Sequence, residues 1–236
     1  MLLLLDLSKA FDSVNYEILI RKLEALNIHT PWFVNYLSNR TQSVKLGKND
    51  ISSSAPISFG VPQGSILGPI LFLIFVNDIS CGAAQTHAKM TMYADDVQLV
   101  LSSSIDQIRQ LKQNAELALS NIKTWYDSNG LMINTAKTQS IILGTVGNTR
   151  KVPVDFHIVF ENIRVPLKST VKSLGIWFDT NMTFNTHINT LCSKLNGNLL
   201  YLSRIKSQLN KESRLLVIYA LIFSHINYCL SIWGKC

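Results

Sequence analysis

Residues 91–101 read Thr-Met-Tyr-Ala-Asp-Asp-Val-Gln-Leu-Val-Leu, and the fold turns on how this stretch is read. Met92 precedes Tyr93-Ala94-Asp95-Asp96, and Val97, Leu99 and Leu101 then alternate, which predicts strand, tight acidic turn, strand. Two carboxylates then stand at a hairpin tip. Far upstream, Leu2 to Leu7 is a short apolar run that carries Asp6 near its end and meets the polar pair Ser8-Lys9. It reads as a buried strand whose carboxyl end lies at a site.

Outward from these strands, Ile18, Leu19, Leu23 and Leu26 keep helical spacing over about Asn15 to Asn27, and Pro31 to Leu37 adds a second short helix. Ser43 to Leu46 is strand-like. Residues 51–65 are rich in Ser, Gly and Pro and include FGVPQGS; Ile66 to Ile79 is then apolar nearly all round, as a buried helix would be, with Pro69 in its first turn. Ile105, Ile108, Leu111, Ala115, Ile122 and Trp125 predict a helix that stops at Asn129-Gly130. Strands are expected at Leu131–Asn134, Ser140–Leu143 and around Ser173–Phe178. This order fits an α+β fold in which helices fold back on a small sheet. From Asn185 the pattern turns helical (Ile188, Leu191, Leu195, Leu199, Leu202, then Leu215 to Tyr228). A soft boundary near Asp179–Asn185 gives two regions, 1–180 and 181–236.

At 236 residues the chain can bury a substantial core, and 47% apolar against 16% charged residues excludes intrinsic disorder. Lys plus Arg number 22 and Asp plus Glu 15, a net +7 that favours a polyanionic partner. The four cysteines, Cys81, Cys192, Cys229 and Cys236, show no metal-ligand spacing, so zinc is not expected and a reduced, intracellular compartment is. Nucleus and cytoplasm are not distinguished. The opening residues lack a basic n-region and a cleavage site, so no signal peptide is read. Leu215 to Gly234 is long enough for a membrane span, but Ser224, His225, Asn227 and Ser231 interrupt it, and an amphipathic helix is preferred.

Asp6, Asp95 and Asp96 all end or turn strands in an acid-poor chain. Carboxylates drawn together repel unless divalent cations neutralise them, and hard oxygen ligands suit two Mg²⁺ ions about 3.5–4 Å apart, the requirement of nucleotidyl transfer. The alternative is an ordinary hairpin turn at Asp95-Asp96 and a strand-end cap at Asp6.

Five segments, LLLLDLSKAFDSV, FGVPQGSILGPILF, YADDVQLV, NGLMINTAKTQ and SLGIWFD, occur in the order and rough spacing of the reverse transcriptase core motifs. Their wording resembles the non-LTR (LINE-type, jockey-like) retrotransposon enzymes. The resemblance implies a right-hand polymerase palm, a small antiparallel sheet with helices packed on one face, followed by a helical thumb. It implies an RNA-directed DNA polymerase that adds dNTPs to a primer 3′-hydroxyl on an RNA template. Asp6, Asp95 and Asp96, with the carbonyl of Leu7, match the holders of two Mg²⁺ ions, for which Mn²⁺ substitutes. Phe11 matches the bulky residue that tests the sugar 2′ position. Gln63 and Gly64 match residues beside the incoming nucleotide, with Ser65 capping the helix that follows. Tyr93 and the Leu174-Gly175 turn match positions near primer and template. Lys137 matches a lysine that assists the departing pyrophosphate.

Each has a plainer reading: Phe11 as core, Tyr93 as strand packing, Gly60 and Gly68 as turn residues, Lys137 as a surface charge, Asp12 as a helix-start acid outside the metal set. Lys194, Arg204, Lys206, Lys211 and Arg214 match a basic thumb face, or are solvated charges. A fingers region precedes the first motif in family members, whereas five residues precede Asp6 here. The chain therefore reads as a palm-plus-thumb piece, and the rival function is a catalytically dead remnant that at most binds nucleic acid. Oligomeric state is left open.

Overall fold

A computed structural model describes residues 1–47, 50–80 and 86–234. The chain divides into two compact units, Met1–Ser140 with Val154–Leu167, and Ile141–Pro153 with Lys168–Cys236. These bounds group the strands of residues 170–179 with the helices that follow, whereas the sequence reading divides at 180.

In chain order the elements are β1 (Leu2–Leu5), β2 (Leu7–Ser8), α1 (Tyr16–Ala25), α2 (Pro31–Leu37), β3 (Thr41–Gln42), β4 (Ala55–Pro56) and α3 (Leu67–Val76). Next come β5 (Lys89–Tyr93), β6 (Asp96–Val100), α4 (Ile108–Ser128), β7 (Met132–Ile133), β8 (Gln139–Ile141) and α5 (Val146–Thr149). The strands β9 (Ile158–Phe160), β10 (Ile163–Val165), β11 (Thr170–Ser173) and β12 (Ile176–Asp179) lead to α6 (Asn185–Ile205), α7 (Lys211–Ile218), α8 (Ser224–Asn227) and α9 (Leu230–Trp233).

In the first unit, four strands form one sheet in the order β5-β6-β1-β8. The apolar run Leu2–Leu5 is interior, which is why it lacks alternation: a strand flanked on both sides buries most of its residues. β1 and β6 pair antiparallel with Leu3 opposite Leu99 and Leu5 opposite Val97, and these four side chains are essentially inaccessible. α1 starts where the Asn15 side chain accepts from the Glu17 and Ile18 amides at 2.9 and 3.1 Å. It packs Leu19 and Leu23 toward α3. α4 ends in a Schellman turn: Gly130 takes φ +71°, and the Leu131 and Gly130 amides return to the carbonyls of Tyr126 and Asp127.

Three expectations change. The pairing begins before Ser43–Leu46, at Thr41–Gln42 against β4, and continues through those residues by a Lys45–Ile51 bridge, with Val44 and Leu46 exposed. α3 is apolar all round but buries one side only, Leu71, Phe72, Phe75 and Val76, while Ile66, Ile70 and Leu73 are exposed. The β9–β10 hairpin is absent from the sequence reading.

The second unit centres on Ile176, Phe184 and Trp233, with Phe178, Ile188, Leu191 and Ile226 against them. Leu199, expected on a buried face of α6, is half exposed. Leu215–Gly234 is not one helix: α7 passes into a π-helical turn, Tyr219–Phe223, then α8, then a left-handed Cys229 before α9. Among the described residues no helix is long and apolar enough to cross a membrane. Cys192 and Cys229 are free thiols; Cys81 and Cys236 lie outside the described residues.

The turn from β12 into α6 is organised by Asp179. Its carboxylate accepts from the amides of Asn181, Thr183 and Phe184 and from the Thr183 hydroxyl, at 2.6–3.2 Å. Burial pushes its pKa up, but these donors outweigh burial and hold it below the usual carboxylate range. A carboxyl so held contributes stability that is fully present above its unfolded pKa and is lost as pH falls through the folded one. Asp179→Asn is expected to destabilise the protein by about 1–2 kcal/mol at neutral pH. In thermal melts the gap to the unmodified chain should close as pH falls below the ordinary Asp range.

Candidate active site

The first unit brings together three of the acids read from the sequence. Asp6 links β1 to β2, and β2 pairs with β7 with Leu7 opposite Ile133. The Asn134 amide donates to the Asp6 carbonyl at 2.8 Å, extending this short ladder. Across the sheet, Tyr93 and Asp96 close the β5–β6 hairpin around Ala94-Asp95. Ala94 takes φ +53°, a left-handed conformation that costs an L-residue about 1–2 kcal/mol. The β1–β6 register ends at the Leu5–Val97 pair, so Asp6, which follows Leu5, and Asp96, which precedes Val97, leave the two strands at the same end.

Burial first, then the charges of Asp95 and Asp6, push the Asp96 carboxyl above its usual range. Asp6 Oδ2 is buried and accepts no hydrogen bond. The Lys137 ammonium stands 3.3 Å from it, an ion pair without hydrogen-bond geometry, carried on the loop after β7 by a side chain 68% exposed. Lys137 therefore is not an isolated surface charge. Burial also raises the Tyr126 hydroxyl beyond its usual range, with the Asp95 charge adding to it.

These residues fit a divalent cation by donor chemistry: hard oxygens, mutual repulsion and one orphaned buried oxygen. Yet among the described residues no three His, Cys, Asp or Glu side chains converge closely enough to hold a metal as they stand. Lys137 supplies positive charge beside Asp6 instead.

A second group forms where the 3₁₀ turn Phe11–Ser13 meets the FGVPQGS loop. The Phe11 ring stacks on Phe72 of α3 with centroids 4.4 Å apart and planes 26° from parallel, leaving the ring half-buried. The Val61 amide donates to the Phe11 carbonyl and the Gly60 amide to that of Val14, each at 2.8 Å. A Cβ on Gly60, at φ +89°, would lie 2.9 Å from the Asp12 backbone, so this glycine serves a close approach and not only a turn. Gln63 Nε2 donates to Asp12 Oδ1 at 2.9 Å. Gly64, at φ +81°, has open space where a Cβ would stand. Ser65 Oγ accepts from the Gly68 amide at 2.9 Å, capping the start of α3 as expected. Lys9, Asp12, Tyr16, Arg40, Phe59 and Gln63 help to line a cleft of about 580 Å³ here.

The remaining residues divide. Tyr93 is not strand packing, being 69% exposed. Leu174 and Gly175 belong to the second unit, at φ +45° and +86° in the two-residue β11–β12 turn, where the Tyr228 hydroxyl donates to the Leu174 carbonyl at 2.7 Å. Lys194, Arg204, Lys206, Lys211 and Arg214 are all exposed, and Arg214 donates to the Leu209 carbonyl. The sequence reading missed the Asp12–Gln63 pair and the cations Lys9 and Arg40 in the cleft. Lys9 and Asp12 stand in the same motif as Asp6, the one signal that could have drawn notice.

Residues 1–178 match the family model described as reverse transcriptase (RNA-dependent DNA polymerase), and the chain belongs to that family. It is 28% identical over 243 residues to the probable RNA-directed DNA polymerase from transposon BS of Drosophila melanogaster, over 98% of this chain and 26% of that protein. It is 26% identical over 217 residues to the RNA-directed DNA polymerase from mobile element jockey of the same species, over 89% of this chain and 23% of that one. The chain thus spans about a quarter of the length of these curated relatives. Among solved structures, apo telomerase from Candida tropicalis truncated from its C-terminal domain superposes with a TM-score of 0.50 at 14% identity, over 76% of this chain and 34% of that chain. That likeness extends the family match to the fold.

The repulsion at the hairpin tip has a measurable consequence. Without divalent ions, Asp96→Asn is expected to raise the thermal midpoint by about 1–3 °C, the scale of a partly screened surface repulsion. Adding Mg²⁺ should raise the midpoint of the unmodified chain and leave that variant nearly unchanged.

Proposed function

We propose that this chain is the catalytic core of a retrotransposon RNA-directed DNA polymerase, adding dNTPs to a DNA primer 3′-hydroxyl on an RNA template. The observation that supports this reading is the β1–β6 register, whose last pair, Leu5–Val97, adjoins both Asp6 and the Asp95-Asp96 tip. In this reading residues 1–180 serve as palm and 181–236 as thumb, whose exposed Lys194, Arg204, Lys206, Lys211 and Arg214 meet nucleic-acid phosphates.

Asp6, Asp95, Asp96 and the Leu7 carbonyl would hold two Mg²⁺ ions, or Mn²⁺ in their place; bound there, the ions supply charge that steadies attacking and departing oxygens. Phe11, locked against Phe72, is a wall beneath the sugar that leaves no room for a 2′-hydroxyl. Gln63 and Gly64 flank the incoming nucleotide, and the exposed Tyr93, with Leu174 and Gly175, contacts primer and template. Lys137 already reaches Asp6, and from that loop it donates a proton to the departing pyrophosphate. The ion pair also favours a second reading, a catalytically dead remnant that binds nucleic acid, since Lys137 neutralises Asp6 without metal.

Primer extension on an RNA template separates the two. With Mg²⁺ the unmodified chain is expected to extend the primer, the Asp95→Asn, Asp96→Asn double variant to lose about 10³-fold or more, and Lys137→Ala about 10²-fold. Salt-sensitive nucleic-acid binding that ignores the acid substitutions, with no extension, would select the remnant.

A further inference from the structure

We propose that Asp12 is a positioning residue: it fixes the side-chain amide of Gln63 so that a carbonyl acceptor faces the nucleotide cleft, and it acts on nucleotide recognition through Gln63 alone. This rests on the polymerase reading given above. The chemistry of the pair dictates its polarity. An ionised carboxylate only accepts hydrogen bonds, so the amide must turn its NH₂ toward Asp12, and Nε2 lies 2.9 Å from Oδ1. A flip of the amide would set Oε1 against the carboxylate, two acceptors face to face. Oε1 is therefore left for a donor from outside, such as a sugar hydroxyl or a base N–H.

The pair is also held from both sides. Asp12 sits in a 3₁₀ turn closed by its own amide on the Lys9 carbonyl at 3.0 Å. The partner loop is tied to that turn by the Gly60 and Val61 amides and by the close approach of Gly60 to the Asp12 backbone. The two side chains meet in a register that backbone hydrogen bonds have already set, so little further ordering is needed when a ligand arrives. Both line the cleft of about 580 Å³ that Lys9 and Arg40 also line, which joins an acceptor to positive charge. That combination suits a nucleoside triphosphate, with donors at one end and anionic oxygens at the other.

The test is the dissociation constant of a dNTP in a complex of the chain, an RNA template and a dideoxy-terminated DNA primer, where binding is read without chemistry. Asp12→Ala and Gln63→Ala are each expected to weaken the dNTP about five- to tenfold, and the double variant no more than Gln63→Ala alone. Asp12→Asn, whose carbonyl still accepts from Nε2, should stay within about twofold of the unmodified chain. If alanine unfolds the turn in a thermal melt, Asp12→Ser takes its place in the cycle. Full affinity in the Asp12 variant, or a further loss on adding it to Gln63→Ala, would overturn the inference while the polymerase reading stands. An unmodified chain that binds no dNTP, or binds it equally well as Asp95→Asn, would remove that reading and this one together.

Discussion

The antiparallel register of β1 against β6 is the constraint on which the rest of the site depends. Strand side chains alternate with a period of two, so a slip of one residue would turn every side chain of a strand to the other face. Leu3, Leu5, Val97 and Leu99 are essentially inaccessible, and burying each stabilises the fold by roughly 1.5–3 kcal/mol relative to exposure. Those four cannot slip without forfeiting that burial. Because Asp6 and Asp96 follow and precede them directly, the hydrophobic core fixes the acids by covalent continuity. Like charges are held together by packing that gains nothing from them.

Around that register the local costs accumulate. Lys9 and Ala94, in the turns beside the two acid-bearing strands, both adopt positive φ without being glycine. Strained backbone at a site persists only where its surroundings over-determine it. At Lys9 the over-determination comes from the 3₁₀ turn that follows and from the Gly60–Val61 backbone docked on it. At Ala94 it comes from five register pairs of the β5–β6 hairpin.

Much of this could be read in the sequence wherever a local period carried the information. The acidic hairpin, the helical spacing from about Asn15, the Asn129-Gly130 stop and the Ser65 cap each depend on residues a few positions apart. The misses share a different cause. Hydropathy declares Ile66 to Ile79 apolar without saying which side a neighbour will cover, and only the fold shows Ile66, Ile70 and Leu73 turned outward. Val44 and Leu46 alternate like a strand, yet both are exposed. The β9–β10 turn uses Glu161 and Asn162, both at positive φ, where the recognisable signal would have been a glycine. The Asp12–Gln63 bond spans 51 positions and the Lys137–Asp6 pair far more, beyond any spacing rule.

Satisfaction of the carboxylates, more than their position in a motif, separates the acids that hold structure from those suited to chemistry. At Asp179 burial is outweighed by the surrounding donors and the pKa falls; at Asp96 burial first, and then the charges of Asp95 and Asp6, raise it. The contrast recurs within one motif: Asp12 has an amide donor aligned on it, while Asp6 Oδ2 is buried with only a misaligned ammonium nearby. A saturated carboxylate has little to offer a newcomer, because a new ligand must displace bonds already made. An under-satisfied one retains that capacity, and the desolvation cost of leaving it so is the energy that a cation can recover. By that criterion Asp6 keeps an unfilled acceptor at the end of β1, whereas Asp179 is committed to the turn that leads into α6.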